Sequence, residues 1–222
     1  MSTVRVTIYQ VDKSTELAKL KKETDSDKSL PLRDTATQLV FGEGNPDADI
    51  YFLGEAPGFN EDKLGRPFIG RAGKLLETVM LENKLKREDV YISNVVRFRP
   101  PENRDPSPEE IAAFQPYVDK EIEIINPPVI VTLGRFSMNK FLPGVKISGV
   151  HGKPTLIEWN KRKIAVVPMY HPAAALRASA ILNEFRKDFK IIPRVVTRAK
   201  AVREKEAEAN KPKPAQLGLT DE

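Results

Sequence analysis

Two carboxylates and an aromatic ring share a glycine-rich segment that follows an apolar run. The run covers residues 50–53, and the segment after it holds Gly54, Glu55, Glu61 and Phe68. Glycine lets the backbone turn sharply and lets a ligand approach closely. In open α/β sheets, ligands bind at loops that follow the carboxyl end of a strand. The pattern predicts a binding loop with carboxylates for electrostatic or acid–base chemistry. Plain surface carboxylates and a core phenylalanine are the alternatives.

A second polar segment follows the next apolar run along the chain. Asn94 stands where that strand should end, and Arg97, Arg99 and Arg104 follow it. An asparagine amide presents a donor and an acceptor together, which suits the recognition of a polar ligand edge. Arginines in such a loop are suited to phosphate contacts. A turn-forming asparagine and solvated arginines are the alternatives.

A third segment places a histidine between a strand end and a proline. His171 follows the apolar run 164–167 and precedes Pro172, so we expect it at the same sheet edge as Glu55 and Asn94. Beyond it, Leu176 or Ala175 is suited to act as an apolar wedge in a DNA duplex. Arg177 is suited to hold a phosphate.

The elements that must position these residues alternate between strand and helix. Strands are predicted near residues 50–53, 90–92, 129–133 and 164–167. Helices are predicted near 71–84, 108–125 and 135–141, and from Pro172 to about Phe189. Ser107, Pro108 and Glu110 predict a capped start for the second helix. This alternation predicts one α/β domain of three layers (α/β/α), with a central four-stranded, mainly parallel sheet covered on both faces.

The chain divides into three zones. Residues 1–35 form an extension with a short alternating stretch (Val4, Val6, Ile8) and a lysine-rich part. Residues 36–192 form the α/β domain. Residues 193–222 are predicted to be a charged tail, a frayed helix that passes into disorder.

Composition limits the function. The 222 residues carry a net charge of +5, and the pI of about 9.3 is compatible with a polyanionic partner. The absence of cysteine excludes disulfides and cysteine-ligated metal sites. With only two histidines, we predict no metal site. No membrane span or secretion signal is apparent, so we expect no membrane association and a cytoplasmic location.

Five motifs in order resemble those of the family 4 uracil-DNA glycosylases, over about residues 30–190. They are Val40–Pro46 (VFGEGNP), the loop from Glu55 to Phe68, Asn94 with the PPENR loop at 100–104, the VTLGR run at 131–135, and the YHP run at 170–172. The resemblance implies hydrolysis of the N-glycosidic bond of uracil in DNA, single- or double-stranded, as the first step of base excision repair. It also implies that the protein acts as a monomer.

The same resemblance implies roles for individual residues. Phe68 would stack on uracil beside Gly54, and Asn94 would read the polar edge, because its amide matches O4 and N3–H of uracil. His171 would donate a hydrogen bond to O2 of the departing base. Glu55 and Glu61 would lie near the sugar, to orient water or stabilise a cationic sugar.

One departure from the family concerns its iron–sulfur cluster, which four cysteines hold. Aligned on Pro31 and Leu32, the ligand positions fall at the four residues Asp27, Leu30, Phe98 and Phe114. We predict a member without the cluster and without any cofactor, in which the three apolar residues pack together instead.

Two other function classes remain open from the sequence. The first is a non-catalytic DNA-binding accessory module that keeps the fold, which the missing cluster and the basic charge favour. The second is a nucleotide- or flavin-binding domain. Against the second, the glycine-rich loop matches neither a dinucleotide fingerprint nor a P-loop.

Overall fold

A computed structural model describes residues 12–209, and it shows strands and helices in three layers. The predicted stretch Val4, Val6 and Ile8 lies outside these residues. The strands are β1 Glu43–Gly44, β2 Ile50–Gly54, β3 Tyr91–Asn94, β4 Val129–Leu133, β5 Thr155–Trp159 and β6 Arg162–Met169. The α-helices are α1 Lys13–Ser26, α2 Phe59–Leu64, α3 Arg71–Glu82, α4 Pro108–Ile125, α5 Arg135–Phe141, α6 Ile147–Val150, α7 Pro172–Ala175, α8 Ser179–Phe189 and α9 Ile192–Ala209.

The sheet contains six strands in the order β1-β3-β2-β4-β6-β5. The four predicted strands are the central ones, and they are parallel to one another. The prediction missed both edge strands, β1 and β5, which pair antiparallel with β3 and β6. Edge strand β1 has only two residues, and β5 is mostly exposed, so neither gives the apolar run that signals a buried strand.

Both faces of the sheet are covered, as predicted. Alternate residues of β2 point to opposite faces: Tyr51 and Leu53 face α1, α4 and α5, while Ile50 and Phe52 face α3, α8 and α9. Each face has its own hydrophobic core. The parallel strands end level with one another, since Gly54 of β2 is paired with Asn94 of β3. All four loops that leave these strand ends therefore open on one edge of the sheet.

Helix α4 starts as its sequence predicts. The Ser107 hydroxyl accepts a hydrogen bond from the Glu110 backbone N–H at 3.2 Å, and the Glu110 carboxylate accepts one from the Ser107 N–H at 2.8 Å. This capping box satisfies two otherwise unpaired donors at the helix start.

The prediction of one continuous helix from Pro172 to about Phe189 is wrong. The helix is interrupted between α7 and α8, so Leu176, Arg177 and Ala178 form a separate turn. Alanine and leucine favour a helix here and no glycine or proline interrupts them, so local propensity alone predicts continuity. The turn carries Leu176 and Arg177 into the cleft described below.

The prediction of a disordered tail from residue 193 is corrected as far as residue 209. Helix α9 buries Ile192, Val195 and Ala199 against the sheet. Its Arg203 donates hydrogen bonds to the backbone carbonyls of Lys163 and Pro127 at 3.0 and 2.7 Å. Residues 210–222 lie outside the described residues.

Helix α1, in the predicted N-terminal extension, also packs on the domain, with Leu17 and Leu20 in the same core as α4. Among the described residues, no helix is both long and apolar enough to cross a membrane.

Candidate active site

A cleft of about 770 Å³ opens at the carboxyl edge of the parallel strands. The loops after β2, β3, β4 and β6 line it. It brings together eight of the eleven predicted site residues: Glu55, Glu61, Phe68, Asn94, Arg104, His171, Leu176 and Arg177.

A narrow slot at the base of the cleft is formed by Gly54, Phe68 and Asn94. A Cβ atom on Gly54 would lie 2.4 Å from Asn94 Oδ1 and 2.4 Å from Phe68 Cζ, so only glycine allows both side chains to lie over this strand end. Asn94 is 2% exposed, and its Oδ1 accepts no hydrogen bond within residues 12–209. An unpaired buried carbonyl costs about 1–3 kcal/mol, which a ligand donor would recover.

The backbone of Phe68 is held in an unusual conformation. Its φ is +52°, a left-handed value that a phenylalanine seldom adopts. Gly73 makes this possible, because a Cβ there would lie 1.9 Å from the Phe68 carbonyl oxygen. Arg87 Nη1 donates a hydrogen bond to the same oxygen at 3.2 Å. The Phe68 ring is nearly buried, and its centroid lies 5.9 Å from that of His171. These contacts fix the ring as one wall of the slot.

His171 has a defined tautomer. Its Nδ1 accepts a hydrogen bond from the backbone N–H of Ala173 at 3.1 Å, so the ring proton lies on Nε2. Burial, with a smaller contribution from Arg177, lowers the pKa of His171 to about 4. The imidazole is therefore neutral at physiological pH and presents an Nε2–H donor. Such a donor stabilises a developing anion without transferring its proton.

Glu55 is a half-buried carboxyl at the end of β2. Burial and, to a smaller extent, the negative charge of Asp105 raise its pKa, Arg135 opposes both, and the result is a pKa of about 7. Asp105 and Arg135 form an ion pair with each other, and both line the cleft. Neither residue was predicted from the sequence to be functional. For Arg135 a signal was present, since it lies two residues after the end of β4, in the VTLGR motif.

Glu61 has a structural task within the same cleft. Its Oε1 accepts hydrogen bonds from the backbone N–H groups of Ile69 and Gly70 at 3.0 and 2.7 Å. Gly70 precedes α3, so the carboxylate satisfies donors at that helix start. Glu61 thereby fixes the loop that carries Phe68.

The prediction that Arg97 contacts DNA is wrong. Its side chain is fully buried and pairs with Glu121 of α4 at 2.7 Å. The carboxylate of Glu121 also accepts a hydrogen bond from Tyr91 at 3.2 Å and one from Tyr51. A charge that has no access to solvent needs an opposite charge inside the protein. Arg97 and Glu121 form such a buried pair.

The other predicted contacts to DNA are accessible. Arg104 lines the cleft and pairs with Glu110 at 2.6 Å, and Arg177 is exposed. Arg99 lies just outside the cleft lining and donates to Asn103 Oδ1 at 2.8 Å. Of the two wedge candidates, Leu176 is 42% exposed and Ala175 is 2% exposed, so only Leu176 has the accessibility of a wedge.

The second histidine, His151, lies behind the cleft. Its Nδ1 is 2.8 Å from Asp188 Oδ2, and its ring packs on Tyr170 with centroids 4.5 Å apart. Tyr170 lines the cleft, so His151 supports the wall beside His171.

Comparison with known proteins identifies the family of this architecture. The family model described as the uracil DNA glycosylase superfamily matches residues 41–191. The chain belongs to this superfamily. It is 47% identical to the type-4 uracil-DNA glycosylase of Sulfurisphaera tokodaii over 182 residues, which are 79% of this chain and 83% of that protein. It is equally 47% identical to the type-4 uracil-DNA glycosylase of Thermotoga maritima over 180 residues, 80% of this chain and 90% of that one. The resemblance to family 4 is confirmed.

A relative of another kind is the DNA polymerase of Bacillus phage SP01. It is 34% identical over 162 residues, which are 72% of this chain and 17% of the polymerase. A domain similar to this chain therefore also forms part of a much larger protein.

The iron–sulfur cluster that family 4 implies does not fit this member of the superfamily. Leu30, Phe98 and Phe114 lie in one hydrophobic core, and the rings of the two phenylalanines are 6.1 Å apart. The packing predicted for these three residues is confirmed. At the remaining ligand position, the carboxylate of Asp27 accepts a hydrogen bond from the Tyr117 hydroxyl at 2.5 Å. None of the four side chains is a thiolate, so a cysteine-ligated cluster has no ligands here.

Proposed function

We propose that this protein is a uracil-DNA glycosylase that hydrolyses the N-glycosidic bond of deoxyuridine in DNA, releases uracil and leaves an abasic site. The observation that carries the proposal is the buried amide of Asn94, with its unpaired Oδ1, in the same cleft as the ring of Phe68 and the neutral His171. The similarity to type-4 uracil-DNA glycosylases over about four fifths of the chain supports it.

The slot accounts for the choice of base. Oδ1 of Asn94 would accept the N3–H of uracil while Nδ2 donates to O4. Cytosine presents the opposite polarity at both positions, so it would leave the buried amide unpaired. Phe68 would stack on the extruded base. The side of the loop that carries Glu61 is our candidate for the wall that rejects the 5-methyl group of thymine.

Charge stabilisation accounts for the chemistry. As the glycosidic bond breaks, negative charge develops on the base and positive charge on the sugar. His171 would donate from Nε2–H to O2 of the departing base. Glu55, ionised above about pH 7, would stabilise the cationic sugar or orient the attacking water, and Glu61 would keep the loop in place. Such preorganised groups lower the barrier because they need no rearrangement during the reaction.

The residues at the rim of the cleft account for the contacts to the rest of the DNA. Arg99, Arg104 and Arg177 would contact phosphates, and Leu176 would press into the space that the extruded nucleotide leaves. We propose that the protein acts on uracil-containing DNA in base excision repair, as a cytoplasmic monomer, without a cofactor.

The test is excision of uracil from a labelled oligonucleotide, read as alkali-cleavable abasic sites with a chelator present throughout. We expect cleavage at uracil, none at thymine in the same position, and uracil cleavage at least about tenfold slower with the variant His171→Ala. A folded protein that binds the oligonucleotide without releasing uracil would contradict the proposal.

That contrary outcome would favour a second candidate, a non-catalytic DNA-binding module. The relationship to part of a phage DNA polymerase is the observation in its favour, because a domain of this kind occurs there beside other activities. The two candidates differ in one measurable product, free uracil.

A further inference from the structure

An aromatic ring on the rim of the cleft has no place in the reaction described above. Phe59 is the first residue of α2, it lines the cleft, and it is 60% exposed. Leaving so large an apolar side chain in water forgoes the stabilisation that burial would bring. It lines the same cleft as the proposed base slot, and its exposure makes it available to the DNA.

One side of this ring carries a cation. The guanidinium carbon of Arg99 lies 5.3 Å from the centroid of the Phe59 ring. Arg99 is itself fixed, because its Nε donates a hydrogen bond to Asn103 Oδ1 at 2.8 Å. A ring held against a guanidinium forms a cation–π pair, and it leaves exposed surface on which a second flat group can stack. Phe59 and Arg99 together make a positively charged aromatic surface.

This surface and the proposed wedge lie on different sides of the cleft. Phe59 begins α2, in the segment that follows β2, and Leu176 is in the turn between α7 and α8, in the segment that follows β6. Strand β4 lies between β2 and β6, so the two loops leave the sheet from strands about 10 Å apart. The slot with Phe68 and Asn94 belongs to the β2 and β3 ends. Phe59 lines the same cleft as Phe68 and Asn94, so a nucleotide next to the one extruded into the slot would enter the cleft that Phe59 lines.

We propose that Phe59, backed by Arg99, is a stacking site for an unpaired nucleobase next to the extruded uracil, and that it favours single-stranded DNA as the substrate. This inference rests on the proposed glycosylase function. A base in a single strand can turn a free π-face to the ring, whereas in a duplex the neighbour of the extruded uracil keeps its base pair and its other stacking partner, and the Leu176 wedge would cover the face that the uracil leaves. Stacking on an aromatic side chain is tolerant of sequence because every base has such a face.

The test compares binding of two single-stranded oligonucleotides. Both contain 2′-fluoro-deoxyuridine, whose fluorine destabilises the cationic sugar and so prevents excision during the measurement. One has normal neighbours, and the other has base-free nucleotides on both sides of the uracil. We expect Phe59→Ala to weaken binding of the first by about 5- to 100-fold and binding of the second by less than about twofold. Phe59→Tyr should bind both as the wild type does.

The matched control is Leu156→Ala, on edge strand β5, which removes an apolar side chain that is 50% exposed and lies outside the cleft lining. It should bind both oligonucleotides as the wild type does. Equal binding of the normal oligonucleotide by the wild type and Phe59→Ala would overturn the proposal, as would an equal loss with both oligonucleotides. If Phe59→Ala weakened binding of duplex DNA by the same factor as binding of single-stranded DNA, the proposed preference for single strands would be overturned. Uracil release by Leu156→Ala is measured in a separate assay. If the proposed glycosylase function is wrong, that assay shows no uracil release, whereas the binding comparison tests only the stacking site.

Discussion

The ionisation of a single carboxyl, Glu55, should be visible in the pH dependence of excision. Burial, then the charge of Asp105, raises its pKa to about 7, and Arg135 opposes them. Only the ionised form stabilises a cationic sugar. We therefore expect the single-turnover excision rate to rise as the pH increases through about 7 and to level off above it.

Two variants of the neighbouring ion pair should move this midpoint in opposite directions. Asp105→Asn removes a negative charge and should shift the rise to lower pH, whereas Arg135→Gln removes a positive charge and should shift it to higher pH. Glu55→Gln should lose the rise altogether. The same midpoint in all of these proteins would show that another group controls the rate.

The two polar side chains at the base of the cleft should matter for chemistry more than for binding. His171→Ala or Asn94→Ala should lower uracil excision at least about tenfold while DNA binding persists, because each removes a group that acts on the base. Asn139→Ala, at an exposed position on α5, is the control and should excise normally. Near wild-type excision by both site variants would refute these assignments.

The placement of single residues was predictable where they lie at or just after a strand end. Asn94 and His171 lie where the strand pattern predicts, and both line the cleft. Arg97 was not predictable in this way. It is two residues from the accessible Arg99, and the sequence does not reveal that Glu121, 24 residues later, provides a buried partner.

At the scale of elements, the pair of Arg97 and Glu121 joins the loop after β3 to helix α4. Arg97→Met would leave the Glu121 carboxylate buried without its counter-charge, and we expect the free energy of unfolding to fall by about 3–5 kcal/mol. Urea denaturation followed by circular dichroism measures this. Arg186→Met breaks an exposed pair with Glu82 and should cost less than about 1 kcal/mol. A similar cost for both variants would show that the buried pair contributes little.

Elements were predictable from sequence when they were apolar or capped. Helices α4 and α5 have the predicted bounds, and the four central strands are within two residues of theirs. The interruption after α7 was not predictable, because residues 175–179 contain no glycine or proline and mostly have high helix propensity. Tertiary packing decides there, with Ala175 buried on one side and α8 starting anew at Ser179.

For the whole molecule, the core at the positions where the resemblance to family 4 places the cluster ligands should carry part of the stability of the fold. Phe114 is fully buried and contacts Phe98, so Phe114→Ala should lower the free energy of unfolding by about 3–5 kcal/mol. Thermal denaturation with and without a chelator measures this. The chelator should not change the melting temperature of the wild type. A chelator-dependent melting temperature would show that a metal supports the fold after all.

The three-layer architecture was predictable because each face of the sheet has its own apolar pattern. The packing of α1 and α9 was not, since both helices are dominated by charged residues and bury only a few apolar side chains each. From sequence alone, a charged helix that buries three side chains cannot be distinguished from one that is exposed to solvent all round.

The packing of helix α9 also determines where its C-terminal end lies relative to the cleft. Arg203 binds carbonyls that precede β4, and Glu206 pairs with Lys163 near the start of β6, so the end of this helix lies opposite the cleft. The chain has no cysteine, and Glu208 is exposed on that helix. A cysteine introduced at position 208 would be a unique thiol. A fluorophore or a solid support attached to it would hold the protein with its cleft facing the solution, which is the orientation that a uracil sensor requires.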